Sequence, residues 1–297
     1  MPRFTLVLTG LVSLILGMLM SVSQAAAEDP PPAPVARLLV SQRVELLPQE
    51  PLCWRIVEAT RPAGTRRPPS GYVADPLSLF YLAAGEAQIE YAGGPTVQVK
   101  AGQGAFIGAN NWFAWSIGGT ARERNIVFAL SCQTFPPGVP NVTQLGNTGP
   151  LPGVRPDKGP HIIDFREVRW AVGAQIPPSI TGGPRSFLIL EGEFAFGMPE
   201  GLRRLGPGET ITVPAGTPYQ TTNVGAVPAL LLNVQITPVG EVTARIPASD
   251  VRLINPLAAA APAALPRAGD HLSWLSSLAM LMGAVLMAAG INLRRRA

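Results

Sequence analysis

Carboxylates in pairs are the first residues in this chain whose types and spacing could do chemistry. Glu191 and Glu193 flank Gly192, and on a strand both point to one face; Glu86 and Glu90 share a face in the same way. Two carboxyls in different surroundings can divide acid and base roles between them. On the outer face of a sandwich strand such a pair usually just meets water. Imidazole is scarce, with 2 histidines in 297 residues, His161 and His271. Neither stands at a useful spacing from Cys53 or Cys132, the 2 cysteines, and no CxxC suggests zinc or dithiol redox work. The cysteines are instead a candidate disulfide, which an oxidising compartment permits if their Cα atoms come within range; two free buried thiols are the alternative. No nucleophile elbow or phosphate loop is present.

The elements that must position these residues read as strands. FYLAAGEAQIEYAGG followed by VQVKAGQGAFIGANNWFAWS in one region answers FLILEGEFAFGMPEG followed by RRLGPGETITVPAGTPYQTTN in another. In each, an apolar run enters a Gly-Glu pair, Gly85-Glu86 or Gly192-Glu193, and a second glycine follows a short hairpin, Gly102 or Gly208. Short period-two strands cut by Gly and Pro every 8 to 12 residues indicate a β-sandwich or barrel. No part of the body keeps a long 3.6-residue period. The Pro- and Gly-rich segment 136–160 reads as a linker between the two regions.

The ends read as targeting segments. Arg3, the apolar run Leu6 to Met20 and the small residues up to Ala27 have the three parts of a secretory signal. At the other end, Leu272 to Leu293 is uncharged and long enough to span a bilayer, and Arg294, Arg295 and Arg296 would hold its far end in the cytoplasm. Leu265-Pro266-Arg267-Ala268-Gly269 stands just before it. This order of pentapeptide, span and basic tail resembles an LPxTG-type cell-wall sorting signal, with Ala268 where the usual motif has Thr. The resemblance implies signal peptidase and sortase as processing partners; a plain membrane anchor through residues 272–293 is the alternative. Both put the body on the extracellular side, held at the membrane or wall. The formal charge of +4 belongs to these segments, because 28–266 carries 18 basic and 18 acidic residues. The body has no basic footprint for nucleic acid.

Gly208-x5-Pro214-x-Gly216-x2-Tyr219-x3-Asn223 resembles the second cupin motif at every spacing, with Tyr219 in place of its histidine. The first cupin motif fits by spacing from Gly173 to Gly192, with Ser179, Thr181 and Arg185 at its ligand positions. In the earlier region the corresponding positions are Tyr72, Ala74, Ser78 and Phe113, with Gly108 and Asn110 departing from the motif. The resemblance implies an all-β chain of two tandem cupin domains, jelly-roll β-barrels, flanked by a signal peptide and a C-terminal transmembrane helix. The expected division is 1–27 signal, 28–37 Pro-rich leader, 38–135 first domain, 136–160 linker, 161–243 second domain, 244–270 Ala/Pro stalk with the sorting motif, 271–293 span and 294–297 tail.

The family commonly holds a metal on three histidines and a glutamate. Here all four positions of the second region have lost such ligands, and Arg185 brings a positive charge to the place of the metal. The reading therefore includes no metal, no cofactor and no catalytic residue. It leaves Ser179, Thr181, Arg185 and Tyr219 as candidate contacts to a carbohydrate or organic anion, or as groups that satisfy each other in a filled barrel. Phe113, Trp112 and Trp115 could stack sugars, although aromatics there are more often core. A surface-held, metal-free binding or structural module is the favoured function. An extracellular cupin enzyme of isomerase or lyase type, with an absent or unusual metal site, is the alternative. Cupins often pair through their sheets, so a homodimer is compatible.

Overall fold

The computed structural model describes residues 32–48, 51–67, 77–91, 94–118, 120, 122–134, 136–241 and 244–245. The signal peptide, Tyr72 and Ala74, the sorting motif Leu265 to Gly269, the span and the basic tail lie outside these residues. Among the described residues no helix is long and apolar enough to cross a membrane; their regular structure is strand, with one 3-10 turn at Pro156–Lys158.

In chain order the first strands are β1 (Val35–Val44), β2 (Trp54–Arg61), β3 (Arg66–Arg67), β4 (Ser78–Ala84), β5 (Glu86–Tyr91), β6 (Thr96–Lys100), β7 (Gly104–Ile107), β8 (Phe113–Gly118), β9 (Glu123–Leu130) and β10 (Val142–Asn147). There follow β11 (His161–Trp170), β12 (Gln175–Ile180), β13 (Arg185–Glu191), β14 (Phe194–Met198), β15 (Gly201–Leu205), β16 (Thr210–Val213), β17 (Tyr219–Asn223), β18 (Ala229–Pro238) and β19 (Ala244–Arg245). They form four antiparallel sheets in the orders β10-β2-β9-β4-β7, β3-β8-β5-β6, β1-β11-β18-β13-β16 and β15-β14-β17-β12-β19. The first two sheets make one half and the last two the other. The internal repeat is visible in β4-β5 against β13-β14. Both pairs turn at a left-handed glycine, Gly85 at φ +86° and Gly192 at φ +82°.

The halves exchange strands, which the composition-based division did not foresee. β1 falls inside the segment expected in the first domain, yet it pairs along β11, from Val35 opposite Arg169 to Val44 opposite His161. The segment expected as a linker holds β10, which pairs with β2. The proline- and glycine-rich surroundings hide β10, because a six-residue edge strand has too few buried positions to show a period. β1 also lies against β7, where a Cβ on Gly104 would come within 2.8 Å of the Leu39 side chain. β10 approaches β16 in the same manner, with Gly146 against Thr210.

Period two then lets one strand serve two cores. On β18 the residues Leu232, Val234 and Ile236 join Ile163 and Phe165 of β11 and Trp54, Ile56, Phe128, Leu79 and Tyr81 of the first half in one cluster between the halves. Its alternate residues Ala229 and Leu231 face the interior of the second barrel with Phe187, Phe194, Phe196 and Tyr219. β18 is buried on both faces; its first four residues are apolar, and beyond Leu232 the polar Asn233, Gln235 and Thr237 alternate with Val234 and Ile236. The first barrel has its own cluster around Phe80, Leu82, Ile89 and Trp115. Cys53 precedes β2 and Cys132 follows β9, and a disulfide joins them with Cα atoms 4.7 Å apart. The strands it ties are already in register, Trp54 opposite Leu130.

Candidate functional site

The parity that sends Leu232 and Val234 outward sends Gln235 into the second barrel, and that of β13 does the same for Arg185, opposite it. Arg185 donates from Nε to Oε1 of Gln235 at 3.0 Å and from Nη1 to the Tyr219 hydroxyl at 2.7 Å, and Nη2 also reaches Gln235 Oε1. Gln235 is oriented in turn by its donation to Thr237 Oγ1 at 2.8 Å. Tyr219 sits opposite Ser179 in the β12–β17 register. These groups line a cavity of about 530 Å³, with Asp164 and Arg166 from β11 and the turn from Pro238 to Glu241.

The cavity's charges are unevenly matched. Asp164 is bound by Arg166 at 2.7 Å and by Ser41 at 2.8 Å. Glu241 meets Arg155 at 3.8 Å. Arg185, half-buried, is held by an amide oxygen and a phenol, with no carboxylate in ion-pair reach among the described residues. A guanidinium has five N–H donors, and three are engaged, leaving one on each terminal nitrogen. The Tyr219 hydroxyl accepts from Arg185 and keeps its own proton to give.

The structure brings together Ser179, Arg185 and Tyr219 at this cavity and sends Thr181 elsewhere. Ser179 Oγ is engaged with the carbonyl of Pro177 at 2.9 Å. Past the end of β12 the chain turns at Gly182 and Gly183, and Thr181 lines a neighbouring cavity of about 400 Å³. Gln235, Asp164 and Arg166 escaped the sequence reading because no motif marks them. The alternation of Ile162, Asp164 and Arg166 with Ile163, Phe165 and Glu167 on β11 was the available signal.

The first half is filled differently. Glu123 is fully buried on β9 and accepts from Asn125 Nδ2 at 2.6 Å, with Arg61 3.6 Å away. Burial pushes the Glu123 carboxyl above the ordinary carboxylate range, with Arg61 and Asn125 opposing the rise. Arg61 also lies 5.8 Å over the Trp115 ring. Phe113 packs edge-on to Phe80 at 6.1 Å and Trp115 stacks on Phe80 at 5.0 Å, so Trp115 is core and the half-buried Phe113 packs against that core, while Trp112 is exposed. Ser78, a candidate position by motif, is buried on β4. Glu191 and Glu193 do not share a strand face, because Gly192 between them is the left-handed turn from β13 to β14, whereas Glu86 and Glu90 do share the outer face of β5. Glu193 bridges to Arg204 at 3.1 Å, Glu90 reaches Arg66 at 3.5 Å, and Glu86 and Glu191 face water. His161 is buried at the start of β11.

A divalent metal of the cupin kind does not fit the second barrel. A guanidinium has no lone pair to offer, and the phenol at the fourth position is bonded to it. Among the described residues no group of three or more His, Cys, Asp and Glu gathers to hold a metal.

No family profile and no curated protein sequence matches the chain. Solved structures similar to it include a cupin 2 conserved barrel domain protein from Leptotrichia buccalis. That protein is 13% identical, covers 72% of this chain and 100% of its own, and has a TM-score of 0.36. AerE from Microcystis aeruginosa is 12% identical, with 67% of this chain and 98% of its own covered, at 0.45. The Lactobacillus farciminis oxalate decarboxylase formate complex is 10% identical, with 73% and 89% covered, at 0.45. At this distance they are likenesses of all-β architecture, and nothing about activity, substrate or metal passes from them to this chain.

Proposed function

We propose that the chain is a metal-free, two-barrel protein of the cupin kind that binds a small organic anion in the cleft of its second barrel. One observation carries the reading: Arg185 is half-buried at the cleft with neutral partners only, and two of its donors and the Tyr219 proton remain to be given. A buried charge is costly unless it is paired, so a carboxylate that enters removes a penalty the folded protein already carries. Gln235 and Tyr219 fix the plane of the guanidinium beforehand, and less rotamer freedom is then lost on binding. Ser179 stands beside Tyr219 but its hydroxyl is engaged, and it serves as wall.

The two ends of the sequence extend the proposal. A signal peptide and a C-terminal anchor, with or without sortase attachment at Leu265 to Gly269, would hold this cleft on the extracellular side. A module that captures a small acid from the surroundings suits that position.

The test is calorimetric titration of the full-length protein with acetate, a neutral hexose and a hexuronate, repeated with Arg185→Gln. The acids bind and the hexose does not, and Arg185→Gln weakens the acids by roughly 10- to 100-fold, the equivalent of one or two charge-assisted hydrogen bonds. Equal affinity of the variant, or no binding of any acid to the native protein, would overturn the proposal.

A further inference from the structure

The two cavities of the second half share the wall formed by Pro238 and Glu241. The second is lined by Gly153 and Arg155 from the inter-barrel segment, by Ile180, Thr181 and Gly182 at the end of β12, and by Ala215 and Gly216 from the turn before β17. Thr181 is 1% exposed, and its Oγ1 has no hydrogen-bond partner among the described residues. Its carbonyl accepts from the Gly216 amide at 2.8 Å, which ties the end of β12 to the turn before β17. Buried hydroxyls are normally satisfied. An orphaned one that also lines a cavity has room beside it for a polar partner. Arg155 and Glu241 meet at 3.8 Å over this cavity, both at the surface, and a contact so long and so wet yields readily to a hydroxyl-bearing molecule.

We infer that the two cavities are one groove and that its ligand is a hydroxylated carboxylate of the sugar-acid class. The carboxylate sits on Arg185 and Tyr219, and a hydroxyl further along the molecule meets Thr181 Oγ1. This rests on the anion reading of the first cavity and adds to it the length and the second polar end of the ligand. A short monocarboxylate reaches only Arg185 and Tyr219, whereas a neutral sugar offers Arg185 no charge. Glu241, on the shared wall, accepts a hydroxyl on the way and disfavours a second carboxylate there.

The experiment compares D-glucuronate with acetate on the full-length native protein and on the Thr181→Val and Arg185→Gln variants, by calorimetry. Thr181→Val keeps the shape and removes the hydroxyl, and circular dichroism checks that it folds. Native protein binds glucuronate at least 10-fold more tightly than acetate. Thr181→Val erases most of that advantage and leaves acetate unchanged, while Arg185→Gln weakens both acids. If Thr181→Val binds glucuronate as the native protein does, the second cavity is no part of the site and the inference fails, while the anion cleft stands. If neither acid binds the native protein, the cleft reading fails first and takes the inference with it.

Discussion

Replacing Glu167 by glutamine tests how the exchanged strand β1 is fastened to the rest of the molecule. Glu167 is 2% exposed at the margin of the cluster between the halves. Its Oε2 accepts from Tyr81 of the first half at 2.8 Å and from Arg37 of β1 at 2.7 Å, and its Oε1 accepts from Arg169 at 2.9 Å. One carboxylate therefore joins β4, β11 and β1. Burial alone would raise its pKa, but the hydrogen bonds from Tyr81 and Arg37 and the charges of Arg37 and Arg169 outweigh burial and hold it below the ordinary range. The Tyr81 phenol, in turn, is kept protonated by burial and by the neighbouring carboxylate.

The magnitude follows from exposure. Arg37 and Arg169 are 51% and 67% exposed and can turn to water, so each lost ion pair costs only about 0.5 kcal/mol. The Tyr81 bond is buried at both ends, and exchanging a charged acceptor for a neutral one there costs about 1 kcal/mol. Glutamine must also point an NH2 at one of three donors. The expected loss is about 2 kcal/mol at pH 7. With a urea slope of about 2 kcal/mol per molar, the midpoint falls by about 1 M. The sign with pH is fixed. A carboxylate whose folded pKa is depressed adds stability that is present above its unfolded value, near 4.3, and is lost as pH falls through the lower folded value. The gap between native protein and Glu167→Gln therefore closes between pH 5 and the acid limit. Equal midpoints at pH 7, or a gap that stays constant down to pH 3, would refute the reasoning.

Three further outcomes are expected. Exchanging Cys53 and Cys132 for serine opens a loop of separation 79 and lowers stability by about 4 kcal/mol on the chain-entropy account, read as a denaturation midpoint against the native protein with and without reductant. Gly192→Ala forces a side chain into φ +82° and brings its Cβ within 2.3 Å of the Ala229 Cβ, so it costs about 3 kcal/mol in thermal unfolding, whereas Gly208→Ala, in open space at a similar φ of +83°, costs about 1 kcal/mol. Burial lowers the pKa of His161, so the fold favours the neutral ring; that stability is full above about pH 6.5 and is lost as pH falls through the lower folded value. His161→Leu should flatten the native protein's loss of stability between pH 7 and pH 5, and an unchanged slope would show that His161 does not titrate with unfolding.

Much of the fold was legible in one dimension because strand chemistry is local. Period-two alternation, the Gly-Glu pairs and the second glycines gave two repeated all-β units, since a left-handed turn between paired strands takes glycine most easily whatever lies around it. The resemblance carried by Gly173 to Gly192 and by Gly208 to Asn223 implied that Ser179, Thr181, Arg185 and Tyr219 converge on one interior, and three of the four line the cleft. Which sheet a strand joins is not a local property. Val35 to Val44 would serve as an edge to either half, and only the bonds to β11 and the clasp of Arg37 on Glu167 decide for the second. Thr181 left the group for the same kind of reason, because the chain bends at Gly182 and Gly183 before its side chain can follow that of Ser179. Gln235 and Asp164 carry no motif and entered the cleft only through strand parity and register. The sequence by itself determined the strands, their repeat and the residue types at the cleft. The tertiary structure decided the strand exchange, the shared core and the partners of Arg185, because those depend on which distant edges meet.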